Sequence, residues 1–445
     1  MKTDPKCPDT FHEPARDLPL VRDADVIVCG AGPAGVAAAI TAARAGAQVR
    51  LFEWRGCLGG VWTAGLLGYL LDFDKPGFAQ ELRDKLAGRG LRRGAGAYSL
   101  CYEPEGMKWL LEELCLEAGV RFQLHTKVVA ADRVGRRLTT VVTESKSGRQ
   151  AWRAPVFIDS TGDGDLGALA GCEWEMGAAN DGGCQPMSLN ALVVVQDASA
   201  LGEFIHGSDP NGNDRLSKDA FCREIERAGF TPSYSQPTLW QVRDNLLLVM
   251  LNHEYGVSAC DAAAITAATV RARAELNRIV NGLRQLGGAW SGLQIAATAE
   301  QIGVREGRRL RGRYWVSQED LVSGQRHEDA VVRPTFPVDV HARTPQQNRT
   351  HGYSNAGVQM LPYDIPLRAL IARDVDGLLL AGRCISGDFI AHASYRVTGN
   401  AVPMGEAAGV VAAHAALTER LPHEIAWSEA RALLERVQLK VGRAR

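Results

Sequence analysis

The run Asp25-Val26-Ile27-Val28-Cys29-Gly30-Ala31-Gly32-Pro33-Ala34-Gly35 decides how the rest of the chain is read. Val26 to Cys29 is a short apolar run that suits a parallel strand buried on both faces. A small-residue helix follows to about Ala45, and Gly46 closes it as a C-cap. Gln48 to Phe52 is a second strand with Glu53 at its end. In this βαβ unit each glycine has a task. Gly30 permits the tight turn, Gly32 lets backbone approach a pyrophosphate, and Gly35 lets the helix pack closely on the strand. The helix start offers N–H groups and a positive dipole end to phosphates. An acidic residue about 20 positions on takes the ribose hydroxyls, and Glu53 stands in that place. The pattern predicts dinucleotide binding. No charge interrupts Val26 to Ala43, but its glycines, its proline and its change of period make it strand, turn and helix, not a membrane span.

Outward from this unit, Pro104–Ala118 reads as an amphipathic helix, 120–130 and 137–144 as strands, and Ala154–Asp159 as another buried strand. From about 176 the pattern changes to strand-like runs at Ser188–Val195 and Leu246–Leu251 and long helices at 260–286 and 293–311. Asp376–Ala381 returns to the buried-strand style, and a last helix is expected over Pro403–Leu417. The expected fold class is α/β: a discontinuous Rossmann-like domain with an inserted α+β substrate domain. The boundaries are a lead-in over 1–20, the nucleotide domain over 21–175 and 345–425, the substrate domain over 176–344 and a helical tail over 426–445.

Composition is that of a globular protein. At roughly 150 residues per domain, a chain of 445 residues has room for about three domains, or two large ones. Lys+Arg is 50 and Asp+Glu is 51, giving a net charge of −1, which disfavours a general nucleic-acid or membrane-surface binder. The 10 cysteines form no CxxC pair, so neither a zinc ribbon nor a thioredoxin-like motif is written here. No apolar signal segment opens the sequence, and a reducing cytoplasm is the expected location.

After Glu53 comes a second glycine-rich loop, with Gly59, Gly60, Gly65 and Gly68. It suggests a longer cofactor than NAD, one whose far end must also be approached. Further marks are Pro104-Glu105, His125–Val128, Asp159-Ser-Thr-Gly-Asp-Gly-Asp165, Gly303–Arg309, Asp376–Cys384 and Arg396–Gly409. On these segments the chain resembles the glutathione-reductase-type FAD superfamily. More narrowly it resembles the FAD-dependent oxidoreductase family related to fumarate-reductase flavoproteins and tRNA-modifying flavoproteins. The resemblance implies a non-covalent FAD. Gly30, Gly32, Ala34 and Gly35 would cradle its pyrophosphate, and Glu53 would hold the adenosine ribose. Val128 would pair with adenine, and Arg55, Gly60, Val61, Gly162, Asp163, Gly382 and Arg383 would lie along the cofactor. Asn400, Ala401 and Val402 would bring backbone N–H groups to the flavin edge, with the helix at Pro403 pointing its positive end there.

The segment Gly387–Arg396 departs from relatives, which place a His-Glu pair where this chain has Phe389 and Ile390. His392, Tyr395 and Arg396 are therefore the expected catalytic residues, on a loop passing the flavin. His392 would act as a base and Arg396 would hold a substrate carboxylate or the flavin edge. Cys57 reads as an ordinary buried thiol, and Arg305–Arg313 as a structural connection. Trp62, Trp240, Tyr255 and Trp315 are candidates for a substrate pocket.

The expected function is hydride transfer between a small organic substrate and the flavin. An FAD-dependent hydroxylase is the nearest alternative, although Ala381–Cys384 replaces the Gly-Asp-Ala-Ala-His segment usual there. An RNA-modifying flavoprotein ranks below it. No second GxGxxG turn marks an NAD(P)H domain, so oxygen, a quinone and another protein all stay open as electron partners.

Overall fold

The computed structural model describes residues 11–93, 98–207 and 214–443. The first ten residues of the expected lead-in and the last two of the expected tail lie outside the described residues.

Five parallel strands form the central sheet, in the order Leu378–Leu380, Val156–Asp159, Val26–Cys29, Val49–Phe52 and Arg121–Gln123. The late strand sits beside Val156–Asp159, so the nucleotide domain is discontinuous and the chain between the two strands is an excursion. The Val26–Cys29 and Val156–Asp159 strands are buried throughout. Asp159 is tolerated there because its carboxylate accepts from the backbone N–H groups of Thr161 and Gly167 and from the Thr161 hydroxyl. Burial still pushes its pKa up to about 6. A second sheet of four strands, including the Lys127–Val134 and Arg137–Ser145 hairpin, adjoins the first.

Pro33–Arg44 is a helix with ten of its residues buried. It packs against a second buried helix, Thr398–Leu417. Small residues set the distance between them. A Cβ on Gly405 would stand 2.2 Å from the Ala34 carbonyl oxygen, and one on Gly409 would stand 2.3 Å from that of Ala38. The helices thus touch backbone to backbone.

The excursion builds an antiparallel sheet in the order Thr238–Arg243, Leu246–Met250, Ala191–Val194 and Gln294–Thr298. The helix Ala262–Gln285 joins it in a second core through Ala268, Ala272, Leu276, Ile279 and Leu283.

Four details differ from the sequence reading. The expected helix over 293–311 is instead the strand Gln294–Thr298, followed by extended chain and the short strand Arg309–Leu310, which pairs with Trp174–Glu175. Gly303 bridges to Ser188, and a Cβ on Gly307 would meet the Asp163 carboxylate at 2.2 Å, so the chain here is held by tertiary contacts and not by a helix. The second core ends at Val304 and Leu310 already belongs to the first, as do Val316, Leu321, Val332 and Val338. The division between cores therefore falls earlier than the expected 344. The expected loop over 387–396 contains a helix, Phe389–Tyr395, capped by the Asp388 carboxylate on the Ala391 N–H at 2.7 Å. The last helix begins at Thr398, so Pro403 lies inside it. The tail helix runs over Trp427–Arg443.

Gly409→Val is expected to destabilise the protein by at least ~1–3 kcal/mol, because it must push the two helices apart. Thermal unfolding reads this as a lower melting temperature. Gly88→Ala, in the last turn of the Phe78–Gly88 helix and with no atom within 4 Å of the new Cβ, leaves the melting temperature the same or slightly raised.

Candidate functional site

A cavity of about 740 Å³ runs from the glycine turn to the sheet of the second core. That volume lies within the usual range for cofactor and ligand sites. At the first end the turn is fixed from below. The Ser160 hydroxyl donates to the carbonyls of Cys29 and Gly30 at 2.9 and 2.7 Å. Gly30 adopts φ +92°, and a Cβ there would lie 2.6 Å from the Ser160 carbonyl oxygen. A Cβ on Gly35 would lie 1.8 Å from the Gly30 oxygen. Gly35 is a packing glycine and does not line the cavity. Gly32 differs: it lines the cavity and its added Cβ would meet no protein atom within 4 Å. That space is open to a ligand, and no side chain caps the helix that starts beside it.

Glu53 is buried in the cavity wall. Its carboxylate accepts from the Ala31 and Arg55 N–H groups at 2.8 and 3.0 Å, leaving lone pairs for ligand hydroxyls. Burial raises its pKa. Asp163 and Arg383 form a pair at 2.6 Å, and Arg383 also donates to the carbonyls of Gly162 and Val304. This pair ties the end of the Val156–Asp159 strand to the chain after Leu378–Leu380. Ala34, Arg55, Gly60, Val61, Val128, Gly162 and Gly382 also line the cavity. Of the three residues expected at the flavin edge only Ala401 does so; Asn400 and Val402 are buried in the helix. Because the helix starts early, Val397 and Thr398 line the cavity in their stead.

The other end is closed by Trp240 and Met250 from the antiparallel sheet of the excursion and by Ser188 and Asn190 just before its Ala191–Val194 strand, with Arg305, Phe336, Asp339, His341 and Arg396. Tyr69 stacks on Trp240 with ring centroids 5.5 Å apart. Arg396 donates to the Asp339 carboxylate and carbonyl, each at 2.9 Å. His341 Nε2 lies 3.3 Å from the same carboxylate. Asp339 is held below the usual carboxylate range: burial opposes this, but His341, Arg396 and Arg305 outweigh it. Burial, aided by Arg305, pushes His341 down to about 4. The imidazole is therefore neutral at physiological pH. With its Nε2–H given to Asp339, its buried Nδ1 has no partner.

The residues expected to be catalytic separate. Arg396 lines the cavity, whereas His392 and Tyr395 are fully buried and do not. The Phe389–Tyr395 helix turns both side chains into the interior, where neither His392 ring nitrogen has a partner and the Tyr395 hydroxyl donates to the Ile385 carbonyl. Asp339 and His341 carried no sequence motif. They alternate on the approach to a two-residue strand, Val340–His341, and only the fold brings them to the cavity. Of the aromatic candidates, Trp240 alone lines it. Cys57 is buried beside the Thr63 hydroxyl and does not line the cavity. The arginines after Arg305 serve as braces: Arg308 binds Asp165, Arg309 binds Glu306, Arg311 binds Glu175 and Arg313 binds Asp376.

A split parallel sheet with a glycine turn, an acidic residue at the next strand end and a cavity walled by a second unit defines a dinucleotide-binding enzyme of the α/β class. The chain belongs to the FAD dependent oxidoreductase family, whose model matches residues 25–436. The open space over Gly32 and the Glu53 carboxylate fit that cofactor. No curated protein matches the chain. Among solved structures it is similar to a geranylgeranyl bacteriochlorophyll reductase-like protein from Thermoplasma acidophilum, with 13% identity, 96% of this chain and 84% of that chain covered, and a TM-score of 0.48. It is also similar to the flavin-dependent brominase Bmp2, with 11% identity, coverage of 94% and 83%, and a TM-score of 0.47. For p-nitrophenol 4-monooxygenase PnpA from Pseudomonas putida DLL-E4 the identity is 14%, the coverage 67% and 70%, and the TM-score 0.41. Among the described residues no helix is long and apolar enough to cross a membrane.

Two glycine variants are expected to behave differently. Gly32→Val leaves circular dichroism and soluble yield unchanged but removes FAD, read as lost absorbance near the flavin bands. Gly35→Val, whose side chain meets backbone at once, prevents folding itself.

Proposed function

We propose that this protein is a flavin-dependent oxidoreductase of a small organic molecule, with FAD held non-covalently along the cavity and the substrate at its far end. The pyrophosphate lies at Gly30–Gly35 and the adenosine ribose at Glu53. The flavin ring lies toward Val397, Thr398 and Ala401, facing the antiparallel sheet of the second core. The observation that carries this reading is the Asp339–His341 pair at the cavity end opposite the glycine turn.

Bound FAD supplies two-electron redox chemistry. The chain must supply position and a place for the proton. Removing hydride from a carbon next to O–H or N–H needs a proton acceptor. His341 is suited to that, because Asp339 takes its Nε2–H and the Nδ1 lone pair stays free. The buried Trp240, with the half-buried Met250 and Phe336, gives this end an apolar wall that limits water at the reacting group. We assign the proton to His341 in preference to His392, which is sealed from the cavity.

The alternative is hydroxylation. A monooxygenase and a brominase are among the similar structures. The two readings part in one experiment. A substrate that bleaches the flavin without oxygen marks a dehydrogenase or oxidase. A substrate turned over only with oxygen and an external reductant marks a hydroxylase.

His341→Asn is expected to slow flavin reduction by substrate ~100-fold or more with FAD content unchanged, as measured by anaerobic stopped-flow absorbance. Because the His341 pKa is pushed down to about 4, its basic form is complete above that range. The reduction rate should fall as pH drops through about 4 and show no imidazole step near the usual ~6.5.

A further inference from the structure

Taking the cavity as the flavin and substrate site proposed above, we propose that its substrate is a monocarboxylic acid with an apolar body, bound by Arg305 and Arg396. The charges at the far end do not balance. Arg396 shares Asp339 with His341. Arg305 has no carboxylate within ion-pair distance among the described residues. Its donors go to the Pro186 carbonyl at 2.7 Å and the Ser188 hydroxyl at 2.9 Å, with the Met250 sulfur at 3.8 Å. The other acids along the cavity are engaged elsewhere: Asp163 with Arg383, Asp165 with Arg308, and Glu300 with Arg55. Glu53 is held by two backbone N–H groups. Two guanidiniums therefore face one carboxylate, with a neutral imidazole beside it.

The two arginines repel each other: Arg396 joins burial in lowering the Arg305 pKa to about 10. Arg305 stays cationic at neutral pH all the same. Arg396 also has a buried Nε–H with no partner. A surplus cation and an unmade hydrogen bond are both costly in a buried site, and one carboxylate would satisfy both. The surplus is a single charge, which selects a monoanion over a dianion. The neighbouring walls specify the rest of the molecule. Trp240, Met250 and Phe336 stand at this end, and they offer dispersion and aromatic contact but no further cation.

The test uses the FAD-loaded protein and four probes: phenylacetate, phenylacetamide, acetate and succinate. Each is titrated while the flavin absorbance band and the melting temperature are followed. Phenylacetate is expected to perturb the flavin spectrum and raise the melting temperature, with an affinity at least ~10-fold above phenylacetamide. Acetate should be weaker for lack of an apolar body, and succinate weaker for its second charge. Arg305→Met should lessen the preference for acid over amide ~10-fold at unchanged FAD content. Equal binding of acid and amide, tighter binding of succinate, or no response to any carboxylate overturns the proposal, and the wild-type comparison needs no variant to fold. Purified protein that neither carries nor accepts FAD overturns the underlying reading of the cavity instead.

Discussion

The architecture depends on backbone meeting backbone around one helix. Pro33–Arg44 packs both on the parallel sheet and against the neighbouring Thr398–Leu417 helix, and at each contact there is no room for a Cβ. On the sheet side the constraint is Gly35 against the Gly30 carbonyl. On the helix side it is Gly405 and Gly409 against the carbonyls of Ala34 and Ala38. Close packing of this kind gathers dispersion over many atoms at once and resists displacement. It also fixes where the two ends of the chain meet. The helix that begins at Thr398 is pressed onto the glycine-turn helix, and their N-terminal ends both reach the same cavity.

The far end of the cavity follows a different logic. The glycine end is a matter of shape, whereas the Arg305, Asp339, His341 and Arg396 cluster is a matter of charge held away from water. Each member changes its neighbours. Asp339 keeps its charge because three basic groups surround it, and His341 loses its charge because burial and Arg305 act together. The segments that carry them come from the end of the second core and from the return to the first, so the charge cluster sits on the seam between the two.

The glycine turn and the Glu53 carboxylate at the cavity were legible in the sequence because their requirements are local. A glycine at a positive φ, a glycine under a carbonyl and an acidic residue at a strand end each leave a mark at fixed spacing. The discontinuous sheet was legible for a similar reason: Leu378–Leu380 has the same apolar run as Val26–Cys29. The charge cluster was not, since Asp339 and His341 are separated from Arg305 and Arg396 by stretches of unrelated structure. His392 was misplaced through a local signal that was present but unread. Asp388 is a helix cap, and a helix there turns the imidazole inward. The stretch 293–311 was read as helix although Gly303 and Gly307 sit where another strand and a carboxylate come close. Tertiary contact, not propensity, decides that segment.

The placement of the last strand has a consequence for how the protein comes into being. The glycine turn leaves the ribosome long before the strand beside Val156–Asp159 and the residues Val397, Thr398 and Ala401 do. At 5–20 residues per second, the turn waits on the order of tens of seconds for the wall that completes it. Until then the first domain has an open sheet edge along Val156–Asp159 and an uncovered helix of small residues. A nascent chain in that state presents surface to chaperones and to other copies, and the cavity closes only once that late strand and helix have been made.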